Sequence, residues 1–172
     1  MGRNTLVTMA TKRRKYTPDV LLPALRLFVK ARKKALAGGF TDNGGAIHSI
    51  ERIIDILSQI LCYPHLTHIN KLKDFSGAEM SQGARRALKA GRRTDVLIEH
   101  IMPQRAFALE LIALIENGCT DRKLCSYIKR HYRLVLLDKE ETARMNKLNR
   151  SKISKDRLLE AGIKLHQPKV RT

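Results

Sequence analysis

The sequence has no tryptophan, and aromatic residues make up only 5% of it. That scarcity excludes a broad aromatic platform of the kind on which single-stranded nucleic-acid binders stack successive bases. Cysteine is scarcer still. Cys62, Cys119 and Cys125 are odd in number and form no C-x-x-C pair. They build neither a disulfide framework nor a zinc ribbon, and read as reduced, packed side chains of a cytoplasmic protein. No apolar run approaches the ~18 residues that a membrane-spanning helix requires. The opening MGRNTLVTMATKRRK holds no apolar core of signal-peptide length, so no membrane association is expected. Acidic residues are the last shortage. Sixteen Asp and Glu stand against 34 Lys and Arg, a formal net charge of +18 over 172 residues.

That surplus favours a polyanionic partner, because neutralising phosphates releases their condensed counterions. The cations are spread along the whole chain rather than along one amphipathic helix, which argues for nucleic acid over a membrane surface. DNA is the expected partner. RNA stays open, since no RNA-binding module motif separates the two. The 43% of hydrophobic residues suffice for a packed core.

Residues 1–16 carry the block Lys12, Arg13, Arg14 and Lys15 and read as a mobile basic arm. Thr17-Pro18-Asp19 opens a helix with Thr17 as cap, and Gly38-Gly39 closes it. After the turn TDNGG (41–45), Ile47, Ile50, Ile53, Ile54, Leu57, Ile60 and Leu61 recur at helical spacing and form the best amphipathic segment. His48, His65 and His68 have no ligand-spaced partner and read as surface or loop histidines. Ser76 with Glu79 three residues later forms a capping-box pattern and predicts a helix from 76 to 91. That helix ends in five cations with no anion among them: Arg85, Arg86, Lys89, Arg92 and Arg93. They suit either a solvated helix end or a phosphate-contacting patch.

The last third changes character. Val96 to Met102 predicts a short strand that Pro103 ends, and residues 104–117 predict a helix. Thr120 caps another helix, and YRLVLL (132–137) is the clearest strand in the chain. Asp138 then caps a helix with Glu141 at the capping-box position. From Arg144 onward nine Lys or Arg face two acids. Lys147, Arg150 and Lys152 in this tail are expected to contact phosphates.

The first strand carries Glu99 beside His100. The last helix carries Thr142 and Asn146, four apart and so on one face. If the strands pair under that helix, these groups can converge. A carboxylate and an amide carbonyl are hard ligands for Mg²⁺ or Mn²⁺, and an imidazole can take a proton from an attacking water. Neighbours on a strand point to opposite faces, so Glu99 and His100 meet at one phosphate only if the backbone bends between them.

IEHIMPQRAF (98–107) resembles the first strand of the HNH, or ββα-metal, nuclease fold. The likeness is to the HNH domain of RNA-guided CRISPR nucleases, where Asp-His-Ile-x-Pro-Gln opens the motif. LVLLDKEETARMNK (134–147) resembles the family's second strand and helix. The likeness spans about residues 95–165. It implies His100 as general base, Glu99 and Asn146 as metal ligands, and Thr142 and Glu141 in supporting positions around them.

This sequence departs from the pattern in three places. Glu99 replaces the usual Asp, and Thr142 a frequent His. The family's middle Asn has no counterpart, with His131 and Arg133 nearest to its place. The spacer between the strands is also longer than in compact members and seats two helices.

The expectation is therefore an α+β, mainly helical chain. A basic helical region over 1–94 would precede a ββα-metal-like unit with a helical insertion over 95–172. The function implied is metal-dependent DNA endonuclease, possible as a two-fold dimer for double-strand cutting. The alternative is a basic nucleic-acid-binding protein without chemistry.

Overall fold

The computed structural model describes residues 16–42, 45–149 and 156–166, with no account of the side chains of 45, 46 and 149. The basic arm up to residue 15 lies outside the described residues, as do Arg150 and Lys152. The described residues form an α+β, mainly helical fold around one small mixed sheet. Helix α1 (Pro18–Ala37) starts where Thr17 and Pro18 predict, and Gly38 caps its end. Gly39 follows with φ 88°, a left-handed turn that glycine adopts without steric cost. Helix α2 (Gly45–Cys62) carries the isoleucine stripe. Ile47, Ile50, Ile54 and Leu57 of that stripe are almost completely buried. A 3₁₀ turn over 69–74 follows, opened by His68, whose Nδ1 accepts from the Asn70 N–H at 3.1 Å.

The helix expected from Ser76 begins later. A two-residue strand β1 (Met80–Ser81) comes first, and helix α3 (Gln82–Lys89) is capped by Ser81, whose hydroxyl accepts from the Ala84 N–H at 3.0 Å. Glu79 serves no cap. Its carboxylate instead accepts from Nε of Arg133 at 3.0 Å. A tertiary ion pair thus outcompetes the local capping pattern. Strand β2 (Val96–His100), helix α4 (Gln104–Glu116), helix α5 (Asp121–His131), strand β3 (Leu134–Asp138) and helix α6 (Lys139–Asn149) then follow in the predicted order. A short helix α7 (Arg157–Glu160) and strand β4 (Leu165–His166) complete the described chain. No helix among the described residues is long and apolar enough to cross a membrane.

The sheet order is β2–β3–β1–β4, so β2 and β4 are its edges. β2 and β3 run antiparallel with Glu99 opposite Val135 and His100 opposite Leu134. β1 runs parallel to β3 and antiparallel to β4. Alternation along the strands then splits the side chains between two cores. Val96, Leu134 and Leu136 join the main core with α1, α2, α4 and α5. Val135 and Leu137 face the other way and bury against Met145 of α6, with Ala161 and Ile163 beyond α7. The main core draws residues from both sides of position 94, from Leu21 to Leu136.

The start of α6 is the most tightly specified joint. Asp138 Oδ1 accepts from the Glu141 N–H at 2.8 Å, and Glu141 Oε2 accepts from the Asp138 N–H at 3.0 Å. This is the reciprocal capping box that the sequence predicts. The Ser81 hydroxyl also donates to the Glu141 carboxylate. One carboxylate therefore ties the first turns of α3 and α6 together. Glu141 is thereby occupied as a cap.

Candidate functional site

The β2–β3 pair, two inserted helices and α6 across the strands reproduce the strand–strand–helix order expected from the sequence. The sheet separates the candidate residues, however. The ladder runs regularly through Glu99 and His100, and the Ile101 N–H still donates to the Arg133 carbonyl at 3.1 Å. No bend intervenes, so Glu99 and His100 project to opposite faces.

His100 points toward α2. Its Nε2 lies 3.3 Å from Asp55 Oδ1, 3.3 Å from the Tyr132 hydroxyl and 3.3 Å from the Gln104 amide nitrogen. Asp55 organises this cluster. Its Oδ1 also accepts from the Tyr132 hydroxyl at 2.8 Å, and its Oδ2 accepts from Gln59 at 2.9 Å and Arg52 at 3.3 Å. The aspartate is only 7% exposed. Burial pushes its carboxyl up, but the hydrogen bonds from His100, Tyr132 and Gln59 together outweigh it and hold the group below its ordinary value. Burial and the adjacent Asp55 carboxylate push the Tyr132 phenol far up, so it stays a donor. In the tautomer in which Nε2–H donates to Asp55, a neutral His100 keeps its lone pair on Nδ1, and the Gln104 amide nitrogen, itself a donor, makes no hydrogen bond to Nε2.

Asp55 also sets an acid limit on stability. Its folded value lies below the ordinary 3.8. Its contribution is therefore complete above that ordinary value and is lost as pH falls through the folded one. In urea melts, Asp55→Asn is expected to cost about 1–3 kcal/mol at neutral pH. The gap to wild type should shrink below about pH 4. A gap that widens in acid would contradict the assignment.

Glu99 lies on the other face, opposite Val135 and toward α6 and α7. Burial pushes its carboxyl up, and the Arg157 guanidinium and His100 pull against that rise. Arg157 is 4% exposed. Its Nη1 donates to the His100 carbonyl at 3.2 Å, and its Nε has no partner among the described residues. On α6, Thr142 is buried with its hydroxyl also unpartnered among the described residues. Met145 beside it is fully buried against the strands, and Asn146 is half-buried. Glu99, Thr142 and Asn146 thus share one side of the sheet, and His100 occupies the other. Among the described residues no three His, Cys, Asp or Glu side chains cluster as a metal-binding group.

The expected phosphate-contacting cations sit on the surface. Arg85, Arg86 and Lys89 are exposed on α3, opposite buried Gly83, Ala84 and Ala87. Arg85 lies 3.1 Å from His166 Nε2. Arg92 pairs with Asp95 at 3.5 Å, and Arg93 pairs with Asp74. Lys147 is exposed on α6. Sequence reasoning missed Asp55 and Tyr132. The available signal was Asp55 and Ser58 at the flank of the densest apolar stripe of the chain, where both are buried.

A cleft of about 700 Å³ opens beside His100, between α2, the 3₁₀ turn over 69–74 and the free edge of β2. Leu97, Ile98 and His100 all line it, so it straddles the edge strand and is not confined to one face. A scan of protein-family models and searches of curated proteins and solved structures give no match to this chain.

Proposed function

We propose that this chain is an endonuclease that hydrolyses DNA phosphodiester bonds, with His100 as general base and Mg²⁺ or Mn²⁺ held by Glu99 and Asn146. The observation that carries the reading is the Asp55-held imidazole at the end of an open edge strand, within a strand–strand–helix unit. A phosphate lying across the end of that edge has His100 on one side and Glu99 on the other. Residues on opposite faces can then serve one reaction.

Asp55 holds the ring so that Nδ1 takes a proton from water. The water oxygen attacks phosphorus, the bond from phosphorus to the leaving nucleotide oxygen breaks, and that oxygen takes a proton from solvent. The imidazolium is stabilised by Asp55 until it returns its proton to solvent. Glu99, the Asn146 carbonyl and the Thr142 hydroxyl are hard oxygen donors that suit Mg²⁺ or Mn²⁺. The unpartnered Thr142 hydroxyl favours a ligand on that side. When bound, the ion supplies charge stabilisation at the phosphate.

The second reading is a nucleic-acid binder without chemistry. It is favoured by Arg86 and Lys89, exposed cations that no acid pairs among the described residues. Supercoiled plasmid incubated with Mg²⁺, Mn²⁺ or a chelator separates the two. The endonuclease nicks with metal and not with chelator. Tight, steeply salt-dependent binding without nicking selects the binder.

A further inference from the structure

The cleft at the edge of β2 has a composition that the proposed chemistry alone does not require. Part of its wall is apolar or aromatic, from Ile56, Ile60, Tyr63 and Leu66, and Leu97 of the edge strand also lines it. Its polar lining includes Arg52, Asn70 and Lys73. Among the described residues Asp55 is the one acid that lines the cleft, and His100, Tyr132, Gln59 and Arg52 already occupy it. The cleft is therefore electropositive with an apolar wall. Its volume of about 700 Å³ is that of a small-molecule site, too small to enclose a duplex.

Those properties describe the two ends of a nucleotide. A base is flat and largely apolar on its faces, so it packs on aliphatic or aromatic side chains, while its phosphate seeks cations. Arg52 keeps most of its side chain in solvent, and its only acidic partner among the described residues is Asp55 at 3.3 Å. Lys73 donates to the Arg93 carbonyl at 3.3 Å, which leaves two of its donors for a ligand. Burial and the neighbouring Arg93 lower the pKa of the Lys73 ammonium, a cost that an arriving anion relieves.

We infer that this cleft binds one unpaired nucleotide of a nucleic-acid strand, base against Leu97 and the α2 wall and phosphate between Arg52 and Lys73. A paired base cannot enter a site of this size. The strand must be single, bulged or opened, and opening costs least where pairing is already broken. The inference rests on nucleic acid being the ligand and not on hydrolysis. It adds a preference for unpaired positions, and it sets the strand beside His100.

The lack of tryptophan provides the probe. Leu97 is 36% exposed at the cleft, and Leu109 is 39% exposed on α4, outside it. Leu97→Trp and Leu109→Trp each introduce a single tryptophan, excited selectively over the four tyrosines, and thermal melts check that both variants fold. Binding is read in chelator with a fully paired duplex, the same duplex with one bulged nucleotide, a single strand, and thymidine monophosphate. Leu97→Trp emission is expected to be quenched by the bulged duplex and the single strand, with about tenfold tighter binding than to the paired duplex. Leu109→Trp is expected to stay unquenched, and Lys73→Ala is expected to abolish the preference.

Equal affinity for bulged and paired duplex overturns the inference, as does equal quenching of the two reporters. Thymidine monophosphate binding as tightly as the bulged duplex also overturns it, by assigning the cleft to a free nucleotide. A bulge preference without nicking by the wild type sinks the endonuclease reading and leaves the nucleotide site standing. Nicking without any preference does the reverse.

Discussion

His100→Ala is expected to leave plasmid supercoiled under conditions in which the wild-type chain nicks it. Removing a general base from a hydrolytic site costs roughly 10²- to 10⁴-fold in rate. DNA binding should stay within a few-fold, because affinity comes from lysine and arginine contacts to phosphates spread over the surface. The variant should fold. Asp55 keeps its hydrogen bonds from Tyr132 at 2.8 Å and Gln59 at 2.9 Å, so no buried carboxylate is stranded. Asp55→Asn gives the complementary test. The amide can donate to the ring nitrogen and favour the other tautomer, which puts the lone pair on the wrong side. Cleavage is expected to fall about tenfold or more, with binding unchanged. Nicking that survives His100→Ala would remove His100 from the chemistry. A parallel loss of binding and nicking would make it a structural histidine of the α2–β2 interface.

The arrangement behind that prediction was legible in the sequence in unequal measure. Local signals placed what local physics controls. Thr120 caps α5, with its hydroxyl accepting from the Lys123 N–H at 3.4 Å, and Asp138 and Glu141 cap α6 reciprocally. Short apolar runs, the first ended by Pro103 and the second by Asp138, located β2 and β3. Ser76 and Glu79 matched the same capping pattern and were overridden, because Arg133, just before β3, offers Glu79 an ion pair. β1 is too short for any periodicity and is defined by its pairing with Leu136 of β3 on one side and with Leu165 and His166 of β4 on the other.

The site divides along the same line. His100 and Glu99 stand out by type, but the partner of His100 is 45 residues earlier in the chain, on a helix read only as core. Asp55 does not interrupt the isoleucine stripe, since it sits at its flank, next to Ile54. No spacing rule connects it to a strand, and only the packing of α2 against the sheet brings them together. The likeness of residues 95–165 to a ββα unit concerned the order of the elements. The sequence made convergence of Glu99 and His100 depend on a bend between them, and the regular ladder shows that there is none.

Gly83→Ala is expected to be among the most damaging small substitutions in the chain, although alanine is the better helix former by about 1 kcal/mol. A β-carbon at position 83 would lie 1.9 Å from Asp138 Oδ2 and 3.0 Å from the Glu141 carboxyl carbon. A side-chain end normally yields to such an overlap at little cost. Here Asp138 is locked by its bond from the Glu141 N–H, and Glu141 by Asp138 and Ser81. Relief requires breaking the cap or moving α3 away from β3. Overpacking of this kind costs about 1–3 kcal/mol, which for a chain of this size lowers the melting temperature by roughly 5 °C.

Asp138→Ala alone should cost about 1 kcal/mol through the lost cap. In that background the Asp138 carboxylate is gone, and only the Glu141 carboxyl carbon at 3.0 Å stays close, on a side chain freed from the Asp138 half of the cap, so Gly83→Ala is expected to turn close to neutral. The difference is read as a coupling energy in a double-mutant cycle. An equal cost of Gly83→Ala in both backgrounds would show that the approach of α3 to the α6 cap is not what selects glycine. The joint bears on function because α6 carries Thr142 and Asn146, one turn and two turns beyond the cap. If Glu99 and Asn146 act together, Gly83→Ala should lower nicking more than its loss of stability explains, while Asp138→Ala combined with it recovers part of that loss.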